Sequence, residues 1–133
     1  MSAYTIGVTV QRPFGDTVVA TRDSLAERGF GVLTEIDVAA TLKSKLDVEV
    51  PPQVILGACR PQLAHRALEA APSVATLLPC NVVVRDIGGA TAVEAIDPTA
   101  MLSLAEDPTL AAVATEARER LAAALAALEG ARP

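Results

Sequence analysis

Tyr4, Ile6, Val8 and Val10 alternate with Thr5, Gly7, Thr9 and Gln11, the period of two that turns one side of a strand to a core and the other to solvent. Pro13 ends this run. Phe14, Val18, Thr21 and Leu25 then recur at helical spacing up to Gly29, a residue suited to the left-handed position after a helix end. Alternation returns at Phe30, Val32, Thr34 and Ile36, predicting a second strand. Asp37–Asp47 sets Val38, Leu42 and Leu46 four apart behind a capping aspartate, which predicts a short amphipathic helix lying over the sheet. Val48–Pro52 breaks it, because successive prolines force extended backbone.

Val54–Cys59 is a continuous apolar run containing Gly57, the pattern of a strand covered on both faces with a close backbone approach at the glycine. Pro61 opens a helix with Leu63, Ala67 and Leu68 as its apolar stripe, ended at Ala71-Pro72, and Val74–Leu78 forms a short helix or turn. Cys80–Arg85 and Ala90–Ile96 flank Asp86-Ile87-Gly88-Gly89, a turn rich in residues that tolerate positive φ, so these two strands form a hairpin. Asp97-Pro98 and Asp107-Pro108 each join a capping aspartate to a proline at the first helical position. The long closing helix gathers Leu110, Val113, Ala117, Leu121, Leu125 and Leu128 on one side.

The 133 residues show no internal repeat or linker, so residues 1–133 read as one α+β domain. Its aromatic residues are only Tyr4, Phe14 and Phe30, which leaves the core to Val, Leu, Ile and Ala. A net charge of −5, with lysine only at Lys43 and Lys45, argues against nucleic-acid binding, which needs clustered basic residues. Gly, Pro or a charge interrupts every apolar run before it reaches membrane-spanning length. The beginning of the chain has neither a positive leader nor a continuous apolar segment, so a cytoplasmic location is expected, with Cys59 and Cys80 as free thiols.

Val54–Arg85 carries both cysteines and the only histidine, His65. The segments ILGACRPQLAHRAL, LLPCNVVVR and AIDPTAMLSL, in that order, resemble the blocks of the bacterial and archaeal family called domain of unknown function 302. The resemblance covers nearly the whole chain. It implies a mainly antiparallel sheet of about five strands in β-α-β-β-β-β-α order with helices on one face, similar to TATA-box-binding-protein-like architecture, and commonly a homodimer. It brings no established activity and no cofactor. Arg60 departs from the pattern, which has a small polar residue such as Asn after the cysteine.

If the third and fourth strands are antiparallel, as the resemblance implies, Cys59 and Cys80 lie at one end of the sheet. The leading expectation is a small ligand or partner bound at that Cys59/His65/Cys80 end, with Arg60 and Asn81 as further candidates. Cys59, His65 and Cys80 are also candidate metal ligands, since thiolate and imidazole suit zinc, copper or haem iron, although their spacing matches no standard zinc signature. A second expectation is a redox sensor or enzyme using Cys59 as a thiolate, stabilised by Arg60, by His65 or by the start of the helix at Pro61. A third is a structural or interaction module in which both cysteines are small buried hydrophobes. Arg12, Arg60 and Arg85 form an anion pocket if their strand ends meet.

Overall fold

A computed structural model describes residues 2–130. Five strands, β1 (Thr5–Val10), β2 (Gly31–Asp37), β3 (Gln53–Cys59), β4 (Cys80–Asp86) and β5 (Thr91–Ile96), form one sheet in the order β1-β5-β4-β3-β2, with every neighbouring pair antiparallel. The helices are α1 (Phe14–Glu27), α2 (Val38–Leu46), α3 (Pro61–Ala70), α4 (Pro98–Leu102) and α5 (Pro108–Gly130). Two 3-10 segments, Pro72–Leu77 and Ser103–Ala105, complete the chain.

The predicted boundaries rest on local chemistry that the structure reproduces. Asp37, Asp97 and Asp107 each accept a backbone N–H from the first turn of the following helix, at 2.8, 2.9 and 2.8 Å, and such a cap is worth about 1 kcal/mol. Gly29 closes α1 with φ of +84°. The Phe30 N–H reaches Leu25 O and the Gly29 N–H reaches Ala26 O, both at 3.0 Å, a pairing that satisfies the last carbonyls and returns the chain into β2.

Strand alternation divides the sheet into two unlike faces. Val10, Val54, Leu56, Ala58, Val82, Val84, Val93 and Ala95 point to one side, where Leu25 of α1 and Leu121, Leu125 and Leu128 of α5 bury them. A second core lies beyond the Cys59/Cys80 end of the sheet, where Leu63, Val74, Leu102, Leu110 and Val113 join α3, α4 and the first half of α5. The opposite sheet face carries Thr5, Asn81, Val83, Arg85, Glu94 and Ile96.

Three details differ from expectation. Strand β3 is second from the edge and is not covered on both faces along its length: Gly57 is closed over by Thr34 and Pro79, while Ile55 stays partly exposed. Helix α2 contacts β2 and β3 but buries none of its residues. The buried side of α1 includes Thr17, Thr21 and Ser24, whose hydroxyls spend themselves on Pro13 O, Thr17 O and Ala124 O at 2.9, 2.7 and 2.6 Å. Each polar group is paired, so these small side chains let α1 and α5 approach without an unsatisfied donor.

Candidate functional site

Antiparallel pairing puts Ala58 opposite Cys80, so the end of β3 and the start of β4 meet and both cysteines lie at one end of the sheet. Cys59 and Cys80 line the same small cavity, closed by Leu63, Leu78, Met101 and Ala117 at the junction of the two cores. Its volume is about 30 Å³ and its walls are almost wholly apolar. A buried water needs two to four polar partners, so this space suits a small apolar group better than water.

Burial dominates the thiol chemistry. Cys80 is 8 % exposed, and burial, with a lesser contribution from Cys59, pushes its pKa up to about 11. Burial also raises the Cys59 pKa. Nothing that would lower the Cys59 pKa accompanies this burial, and His65 turns away from it. With a pKa near 11, roughly one Cys80 in ten thousand is ionised at pH 7. Iodoacetamide is expected to alkylate Cys59 more slowly than an unperturbed thiol at pH 8 and to leave Cys80 untouched until the chain is denatured or the pH approaches 11. Peptide mass spectrometry reads the two sites separately, and rapid modification of Cys80 in the native protein at neutral pH contradicts this environment.

His65 does not join the cysteines. It follows Leu63 by two residues, about 200° around the helix, so burying Leu63 turns the imidazole outward, where it is 76 % exposed and lies 3.6 Å from Glu69. Among the described residues no three His, Cys, Asp or Glu side chains gather closely enough to hold a metal ion. The expected Cys59, His65 and Cys80 ligand set is thus not assembled. Arg60 borders the cavity, but its guanidinium lies over Gly29, where Nη1 takes the space a Cβ would need, and faces Glu116. The anticipated convergence of Arg12, Arg60 and Arg85 fails as well, because the strand register puts Arg12 and Arg85 at the end of the sheet opposite Arg60.

Asn81 alternates with Cys80 and emerges on the sheet face away from the helices. There it enters an open groove of about 390 Å³ with Tyr4, Leu77, Pro79, Val83, Glu94 and Ile96. The groove floor is apolar along Val83 and Ile96. Glu94 is held from two sides, by Arg85 Nη1 at 2.6 Å and by Thr5 Oγ1 at 2.7 Å. These hydrogen bonds, the arginine's first, hold its carboxyl below the usual glutamate range against the opposing effect of burial. The carboxylate is a fixed negative charge at the rim with its ionised form stabilised.

Sequence reasoning passed over this groove, although its signal was there. If Cys80, Val82 and Val84 face the core, Asn81 and Val83 cannot, and the same alternation sends Glu94 and Ile96 to the outer face.

No curated protein matches the chain. A solved structure described as an uncharacterized conserved protein DUF302 from Bacillus stearothermophilus is similar at 34 % identity and a TM-score of 0.88, covering 94 % of this chain and 98 % of its own. The family described as Domain of unknown function DUF302 matches over residues 6–128. With the fold, the ordered blocks and this match over nearly its whole length in agreement, the chain belongs to the DUF302 family.

Proposed function

We propose that the protein is a small binding module whose site lies at the Cys59/Cys80 end of the sheet, in the outer groove over Asn81 and Val83 rather than in the cysteine cavity. The groove's lining carries this reading: it joins an apolar floor to the Asn81 amide and the held Glu94 carboxylate in about 390 Å³, within the range of small-molecule sites, whereas the 30 Å³ between the cysteines accepts little more than a methyl-sized group. Apolar Val83, Ile96 and Pro79 suit the flat body of a small amphipathic molecule. The exposed Asn81 amide offers both donors and an acceptor to its polar end.

Assembly as a homodimer is part of the proposal. Edge strand β2 exposes Leu33 at 67 % and Ile36 at 49 %, and its outer backbone groups have no neighbouring strand. A second copy is the partner a two-fold axis supplies. Native mass spectrometry of the protein purified under reducing conditions reads assembly and cargo together. A dimer carrying extra mass that Val83→Trp abolishes, with the circular dichroism unchanged, is the expected result. Cargo retained in Val83→Trp would move the site out of the groove, and a monomer mass across micromolar concentrations would remove the dimer.

A further inference from the structure

A second grouping of charge lies on the helical side of the molecule, where the end of α1, the start of α3 and the middle of α5 meet. Glu116 of α5 stands at its centre. Arg120 Nε approaches its carboxylate at 3.0 Å, Arg60 Nε at 3.7 Å and Arg66 Nη1 at 3.8 Å. Only the first distance is a hydrogen bond. Three guanidiniums against one carboxylate leave a local excess of two positive charges, on a chain whose net charge is −5.

The arrangement is built into the fold. Arg60 is the capping position immediately before α3, and its side chain is only 20 % exposed. Gly29 makes room for its guanidinium. Arg120 is held from the other side, donating Nη1 to Arg28 O at 3.1 Å. Arg60 Nε is buried and has no hydrogen-bond partner, a state that is unfavourable unless something accepts from the group. A single carboxylate offers too few lone pairs at too great a distance to satisfy three forks. Glu116 neutralises only one of the three charges, so an added anion still meets a favourable local field. Guanidinium groups match tetrahedral oxyanions in pairs, through parallel N–H donors.

We propose that Arg60, Arg66 and Arg120 form a site for a phosphate-class oxyanion, either free or carried on a small molecule, with Glu116 as the internal anion that competes with it for their N–H groups. None of these residues lines the outer groove, so the site is independent of the one proposed above. Its excess charge of two matches that of a phosphate or phosphomonoester near neutral pH.

Titration of the intact protein with inorganic phosphate, against sodium chloride at equal ionic strength, tests it through the Nε–Hε resonances of the three arginines. Phosphate is expected to shift all three, and chloride to leave them in place. Arg66→Gln and Arg120→Gln should each weaken phosphate binding about tenfold, the worth of one charge-assisted hydrogen bond. Glu116→Gln should strengthen it several-fold, because it removes the competing negative charge; a merely structural role for Glu116 predicts the opposite. Repeating the titration with a phosphomonoester separates the two sources of the ligand: tighter binding of the ester identifies a phosphorylated molecule, and equal binding identifies the free ion. Equal responses to phosphate and chloride would overturn the proposal, as would weaker binding in Glu116→Gln.

Discussion

Leu121→Ala is expected to lower the unfolding free energy by about 3 kcal/mol, within the 2–5 kcal/mol range for a buried leucine truncated in a packed core. Leu121 is fully buried where α5 meets α1 and the sheet, so the vacated space is bounded by elements that cannot all close in at once. The loss combines the transfer of the removed atoms to water with the cavity they leave. Against a typical total of 5–15 kcal/mol this is a large share of the stability, equivalent to about 10 °C in melting temperature for a chain of this size. Leu104 supplies the contrast: it is 77 % exposed, and Leu104→Ala should change stability by less than about 0.5 kcal/mol. Urea unfolding monitored by circular dichroism compares the two. A loss below about 1 kcal/mol for Leu121→Ala would mean that α5 does not pack on the sheet as described.

The second large effect is expected from adding one methyl group. A Cβ on Gly57 would collide with the Thr34 hydroxyl and come within 2.8 Å of Pro79 Cγ, closer than real carbon contacts allow. Gly57 sits within β3, paired to Thr34 on one side and Asn81 on the other, so the strand cannot move away without disturbing two ladders. Gly57→Ala should therefore destabilise by about 2–3 kcal/mol, the cost of overpacking a closed site. Thr34 is exposed, so Thr34→Ala alone should be close to neutral. Combined with Gly57→Ala it should restore part of the loss, because the hydroxyl is gone while the Pro79 ring remains. Strict additivity of the two substitutions would show that Thr34 is not the obstacle.

The element boundaries were legible because each depends on a few adjacent residues. A glycine after α1, aspartates before α2, α4 and α5, and prolines at first helical positions each solve a local hydrogen-bonding problem, and the structure keeps every one. The meeting of Cys59 with Cys80 came from the family resemblance and the antiparallel pairing it implied. The candidate site was less legible because it was assembled from neighbours in sequence rather than neighbours on a face. His65 shares a segment with Cys59, yet the helical turn that buries Leu63 carries it outward. Asn81 adjoins Cys80 and emerges on the other side of the sheet. The arginine cluster joins Arg60 to Glu116 across 56 positions, a proximity that α3 and α5 create by packing together and that no local pattern announces.

Helix α5 belongs to both interiors: Leu110, Val113, Ala114 and Ala117 serve the core beyond the sheet, and Leu121, Ala124, Leu125 and Leu128 serve the one beneath it. One continuous rod thus splices the two compartments, which also share Met101 beside the cysteine cavity. Loosening of α3 and α4 is transmitted to the sheet through that rod, about one turn of it separating the two sets of anchors. Separating the two compartments therefore requires bending or unwinding α5 between Ala117 and Leu121, since each end of the rod is anchored in a different core.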